Sequence, residues 1–184
     1  MQTEWRVRTI TRATLPVLLG LTLVEIGSGL VLGSFEATLL TYPSLLTLVP
    51  VTIGTAGNLG SILAARLSTA FHLGTLSFEP RDEALWANVA AIMCLATTVF
   101  AALAVAAWVV GRTIASPMGF ADLAVISLVS GLLLAALAVC ISVAATYLSY
   151  RRGLDPDDTT IPVVTNVCDI LGVIVLSAVA TLVL

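Results

Sequence analysis

The chain has 184 residues, 59% of them apolar and 10% charged, with a formal net charge of −3. A soluble domain carries about a quarter charged residues, so a water-facing globule is excluded, and no basic patch exists for binding nucleic acid. Apolar runs reach the ~20 residues that cross a bilayer core, so the expected class is an all-α membrane protein with about five transmembrane helices, forming a single domain over residues 1–184.

The first span is expected over residues 13–34, with Pro16 near its start, where a missing N–H is tolerated. Arg6, Arg8 and Arg12 precede it. No small-residue cleavage site interrupts the run to Leu32, so a retained span is expected, not a signal peptide. A short linker with Phe35, Glu36, Tyr42 and Pro43 follows. Span two, 44–69, carries Pro50 and then Gly54, Gly57, Asn58, Gly60 and Ser61. A polar loop with His72, Glu79, Arg81, Asp82 and Glu83 leads to span three, 84–110. A tight link with Arg112 and Pro117 leads to span four, 120–150. Arg151, Arg152, Gly153, Asp155, Asp157 and Asp158 form the next loop, and span five covers 161–184.

All eight basic residues are arginines, and seven of them fall on one side if the N-terminus is cytoplasmic. Basic loops stay inside, so an N-in, C-out topology is expected in a multi-pass protein of the plasma membrane. Cys94, Cys140 and Cys168 each sit in apolar sequence, which points to packing thiols and not to a disulfide framework. Only about twelve residues precede span one, so no cytoplasmic regulatory domain is expected.

Ionisable side chains inside spans are expensive and tend to mark ion or proton paths. Asp169 lies about eight residues, roughly 12 Å, into span five. No basic residue shares that span. Pro162, Thr165, Asp169 and Gly172, spaced by three, four and three, share one helical face. Asn166 stands beside it. Thr165 offers a hydroxyl, and Gly172 admits a neighbouring helix. In span two, Gly54, Gly57, Asn58, Ser61 and Ala65 lie on one face, small or polar throughout. Such a face is either a packing seam or a lining with reachable carbonyls, and Asn58 in its middle favours a lining. Glu25 shares a face with Gly29, Leu32 and Glu36, and could line a vestibule or serve structure. Asp122 opens span four, where a helix N-terminus welcomes a carboxylate. His72 is expected to be a solvated loop residue.

Carboxylate, hydroxyl, amide and backbone oxygens form a hard donor set suited to Mg²⁺, Ca²⁺ or Mn²⁺. No His/Cys cluster argues for zinc or copper. Five helices make a thin bundle for a pathway, so one chain is expected to be half of an assembly. Two Asp169 carboxylates meeting at one axis would repel in low dielectric, and a divalent cation neutralises both.

At these residues the chain resembles the membrane domain of MgtE-type magnesium transporters and their eukaryotic solute-carrier relatives. Phe35-Glu36 resembles that family's Phe-Glu after the first span. Val49-Pro50 followed by Gly54-Thr55-Ala56-Gly57-Asn58-Leu59-Gly60 resembles its Pro, then Gly-Thr-Gly-Gly-Asn-x-Gly segment. Gly153-Leu154-Asp155-Pro156, then Pro162, Thr165, Asp169 and Gly172, resembles its Asp-Pro, Pro, Thr, Asp, Gly series. The resemblance implies a homodimer with a pore between subunits, lined by spans two and five. It implies that Asp169 corresponds to the aspartate holding the pore Mg²⁺ and that Asn58 sits in the pore-lining glycine segment. Ala56 in place of glycine, Ser61-Ile62 where Asn and Gln are frequent, and Thr165 where some members have a small apolar residue are departures that bear on selectivity.

The leading expectation is thus a magnesium or other divalent cation channel or transporter, with Asp169 and Thr165 as metal-holding residues. A proton- or sodium-coupled exchanger, with Glu25 and Asp169 sharing duty, is the second. A non-transporting accessory membrane subunit, or a heterodimer with a related subunit, is the third. An enzyme is not expected, since no nucleophile–base pair or HExxH spacing is present.

Overall fold

A computed structural model describes residues 7–79, 81–153 and 156–184. Arg6, Leu154 and Asp155 lie outside the described residues, as do the side chains of Arg8, Asp157 and Asp158. The described chain is helical, with no strand among the described residues: α1 Val7–Ser34, α2 Glu36–Thr41, α3 Pro43–His72, α4 Glu83–Thr113, α5 Phe120–Arg151 and α6 Pro156–Val183. Five of these are long and apolar enough to cross a membrane: α1 over Thr14–Ser34, α3, α4, α5, and α6 over Thr160–Val183.

The helices overrun the expected spans by a few residues at most ends. The linker after span one is a six-residue helix, α2, set off from α1 by a turn at Phe35. Glu36 therefore does not continue the α1 face of Glu25 and Gly29. It opens α2, and it shares a shallow groove with Gly29, Leu32 and Gly33 across the turn.

Helix α3 is central and packs on α4, α5 and α6; α6 packs on α1, α3 and α5. Among the long helices α1 touches only α6. Its outer residues, Leu18, Leu19, Leu23 and Leu30 among them, are exposed, which suits lipid or a further protein surface.

Helix α5 shows why the bundle closes. It is apolar on all sides, as a membrane helix is, so hydrophobicity cannot select its packing face. Residue size does. Ser127, Ser130, Gly131, Ala135, Ala138, Ser142 and Thr146 are buried, whereas Val125, Val129, Leu133 and Leu137 face outward. Small residues let backbones approach, and van der Waals contact then holds the helices where lipid offers no hydrophobic gain. Phe100 of α4 lies directly over Gly131, with its ring where a β-carbon would be. Ser127 Oγ donates to the Phe100 carbonyl at 2.8 Å.

The connections use turn chemistry. Gly74 and Gly153 adopt positive φ just after α3 and α5, the conformation that ends helices with the least steric cost. Asp82 caps α4: one carboxylate oxygen accepts from the Ala84 and Leu85 N–H groups at 2.9 and 3.2 Å, and the other accepts from the Ser77 N–H and hydroxyl at 2.7 and 2.9 Å. Phe78, inside that clasp, has φ 56°, a strained value for an aromatic residue, and its ring packs at a tilt against Phe71 at 5.4 Å and Tyr147 at 5.7 Å between centroids.

All three cysteines are free thiols, as expected, but only Cys168 packs in the interior, buried with Ala138 and Val164; Cys94 and Cys140 are exposed on the outer faces of α4 and α5. A thiol is small and nearly apolar, so it is tolerated toward lipid as well as in a core.

Candidate functional site

Helices α3 and α6 meet along glycines. A methyl at Gly172 would lie 2.6 Å from Ile53 Cγ1, and one at Gly60 would lie 2.5 Å from Val164 Cγ1. Those separations are far inside van der Waals contact, so the two helices approach as closely as they do because both positions lack a side chain. Between them, Gly57 faces Thr165, whose Cα would be 3.6 Å from an added methyl. The span-five stripe of Thr165 and Gly172 and the span-two glycines therefore face one another across one seam.

The predicted polar face of span two divides at this seam. Gly57 and Gly60 are buried against α6, while Gly54 and Asn58 are exposed on the surface of the single chain, and Ser61 is half-buried. Nothing lies within 4 Å of a methyl built at Gly54. Two carbonyls of the segment are occupied. Ser61 Oγ donates to the Gly57 carbonyl at 2.9 Å, and Ser142 Oγ of α5 donates to the Gly60 carbonyl at 2.8 Å. The second bond was not legible in the sequence, although Ser142 continues the small-residue row of Ala135 and Ala138. Both helices are continuous through Pro50 and Pro162.

Asp169 is half-buried on α6. Among the described residues no hydrogen bond or ion pair engages its carboxylate, and the charge it meets is the Glu25 carboxylate of α1. Glu25, suited by sequence to a vestibule lining or to a structural role, is brought into electrostatic reach of Asp169 by the packing of α1 on α6. Two acids thus lie within electrostatic reach of one another, and among the described residues no ion pair engages Asp169. Thr165 Oγ1 donates to the Ile161 and Pro162 carbonyls, both at 3.1 Å, and Asn166 Nδ2 donates to the Pro162 carbonyl at 2.8 Å. With its proton turned back into its own helix, the Thr165 hydroxyl keeps oxygen lone pairs for a cation or its water. The Asn166 amide oxygen is likewise an acceptor.

Among the described residues no group of three His, Cys, Asp or Glu side chains converges as a metal cage. On α6, Asp169, Thr165 and Asn166 offer a carboxylate, a hydroxyl and an amide oxygen, a sparse hard-oxygen set. Mg²⁺ keeps several waters when it binds through one or two carboxylates, so such a set fits a hydrated ion better than a stripped one.

The remaining predicted residues fall elsewhere. Asp122 lies in the first turn of α5, but the N-cap position belongs to Gly119 and carries no side-chain cap; the carboxylate acts there through the helix dipole. His72 is exposed in the last turn of α3, with Nδ1 2.8 Å from the Ser68 carbonyl. Glu36 is exposed at the α1–α2 turn.

The fold and this seam define a class: a multi-pass helical membrane protein with unneutralised acids at a glycine-built helix contact. The MgtE family, described as a divalent cation transporter, matches residues 49–179, which take in the seam with Asn58, Thr165 and Asp169 but not α1 with Glu25 and Glu36. Solute carrier family 41 member 3 of Rattus norvegicus is 32% identical over 137 residues, 72% of this chain and 30% of that protein. The Mus musculus protein of the same name is 31% identical over 137 residues, 72% of this chain and 28% of its own length. The chain spans less than a third of these curated relatives. It belongs to the MgtE family.

Proposed function

We propose that this chain forms the ion pathway of a divalent cation transporter in the plasma membrane, with Mg²⁺ as the first candidate cargo. Two copies pair so that the exposed Gly54–Asn58 strip and the half-buried Asp169 line one pore. The carrying observation is the Asp169 carboxylate, partly withdrawn from the surface, unpaired among the described residues and within electrostatic reach of a second acid. Burying a carboxylate in a membrane helix costs about 2.5–3.5 kcal/mol even on lenient insertion scales. A structural role would be expected to offset that cost with a donor, and none is present among the described residues. A divalent cation offsets it by neutralising two acids at once, whereas a monovalent ion leaves one charge over.

Each element then has a task. Asp169 and its symmetry mate attract the hydrated ion. Thr165 and Asn166 oxygens accept hydrogen bonds from its water shell. Gly57, Gly60 and Gly172 hold α3 against α6, and Gly54 keeps the lining free of side chains. Glu25 adds negative potential beside the pathway. The test is magnesium uptake into liposomes containing the purified chain: Asp169→Ala is expected to remove uptake, and uptake equal to the parent's overturns the assignment.

One observation favours a second reading. The charges of two carboxylates within electrostatic reach are linked, so Glu25 and Asp169 together could couple metal movement to protons or sodium. Flux that follows a pH or sodium gradient at a fixed metal gradient would establish an exchanger. Absence of both flux and metal-dependent thermal stabilisation would instead indicate an accessory subunit. A heterodimer with a related chain is distinguished from a homodimer by whether the purified chain alone supports uptake.

A further inference from the structure

Helices α4 and α5, neither of which packs on α1, leave an open apolar groove of about 490 Å³, within the range of small-molecule sites. Its floor is Val89 from α4 and Val139, Val143 and Ala144 from α5. Its rim is aromatic, made by Phe78, Trp86 and Tyr147. Beyond the rim, one helical turn past Tyr147, the Arg151 guanidinium lies over the Tyr147 ring, 5.7 Å from its centroid. No carboxylate lines the groove, and among the described residues no ion pair engages Arg151. The nearby Asp82 is committed to Ser77 and the α4 N-terminus.

The order of chemistry along this surface is hydrocarbon, then aromatic, then cation. A glycerophospholipid seen from its chain end to its phosphate follows the same order. Floor residues Val139 to Tyr147 span about 12 Å of helix axis, most of one leaflet's ~15 Å hydrocarbon depth. Indole and phenol rings sit at the headgroup level of a bilayer, which puts Trp86 and Tyr147 where the ester linkages lie. The strained Phe78 is held at that rim by Phe71 and Tyr147. Arg151 is then level with the phosphate.

We infer that the α4–α5 groove is a binding site for an anionic phospholipid, whose acyl chain lies on the Val89–Val139–Ala144 floor and whose phosphate is held by Arg151. The site is independent of the proposed pathway and stands whether or not the chain conducts ions. The full chain, purified in detergent, is titrated with phosphatidylglycerol and with phosphatidylcholine of the same acyl chains, and bound lipid is counted by native mass spectrometry. Phosphatidylglycerol is expected to bind in preference. Arg151→Gln, an exposed change, is expected to reduce that preference about fivefold, the effect of one basic residue near an anionic headgroup, and Arg151→Lys to keep most of it. Ala144→Phe, which fills the floor from an exposed position, is expected to lower occupancy by both lipids. An unchanged preference in Arg151→Gln, equal binding of the two lipids by the parent, or a change of oligomeric state in Ala144→Phe in place of lipid loss overturns the proposal.

Discussion

Between α4 and α5 the ring of Phe100 occupies the space that a side chain at Gly131 would need, and Ser127 satisfies the Phe100 carbonyl. Between α3 and α6 the same device appears, with Ile53 over Gly172 and Val164 over Gly60. The two seams differ in what stands next to the glycines. Beside Gly131 lie Ser130, Leu134 and Ala135, all buried and none ionisable. Beside the α3–α6 seam lie Asp169, Asn166, Asn58 and open space at Gly54. Close packing by small residues is therefore no sign of an ion path in itself. An uncompensated acid at the edge of the packing is what sets one seam apart.

That contrast is broken or sharpened by substitution. The largest effect is expected at Asp169. Asp169→Asn should lower magnesium flux about a hundredfold or more, taking on the order of 3 kcal/mol for the lost charge on the ion. The metal-free variant should melt no lower than the parent, since no partner is left behind, and metal should no longer raise its melting temperature. A metal-free melting temperature well below the parent's would instead mark Asp169 as a structural acid.

Gly131→Ala should act in the opposite way, through stability alone. The new methyl meets the Phe100 ring, and overpacking of this kind costs about 1–3 kcal/mol. For a chain of this size that is a loss of about 2–4 °C per kcal/mol, with flux per folded protein unchanged. Partial rescue by Phe100→Leu in the same background would place the cost at that contact.

Gly54→Ala is the sharpest separation of the two roles. Its methyl meets nothing within 4 Å, so the chain should be as stable as the parent or slightly more, because alanine favours helix over glycine by about 0.5–1 kcal/mol. If Gly54 lines the pathway, flux falls even so. Unchanged flux removes this strip from the lining.

Smaller effects are expected farther from the proposed pathway. Ser142→Ala removes the hydroxyl that crosses from α5 to the Gly60 carbonyl and should cost about 0.6 kcal/mol, the usual value for one interhelical hydrogen bond in a membrane. At the α4 cap, outside the spans, Asp82 is held below the usual carboxylate range, chiefly by the Ser77 backbone N–H against some desolvation, with the Ser77 hydroxyl and the Leu85 and Ala84 N–H groups adding. A carboxyl whose folded value is depressed contributes stability that is full above its ordinary range and is lost as pH falls through that range toward the lowered value. Thermal melts of the parent should show that loss, and Asp82→Ala should flatten it.

Composition alone established a helical membrane protein, because few charges and five long apolar runs permit no other solvent. Spacing alone brought Pro162, Thr165, Asp169 and Gly172 to one face, because a helix repeats every 3.6 residues. Those are local properties, readable without knowing any neighbour. Tertiary structure decided the rest. Residues thirty or more apart met only when helices packed: Ser142 with the Gly60 carbonyl and Ile53 with Gly172, with Glu25 brought into electrostatic reach of Asp169. The turn at Phe35 moved Glu36 off the α1 face, and the division of the span-two face into buried Gly57 and exposed Gly54 and Asn58 followed from where α6 sits. In a bilayer every helix face is apolar enough for lipid, so hydrophobic pattern cannot say which face turns inward. The fit of small residues against large ones chooses, and that fit exists only between helices.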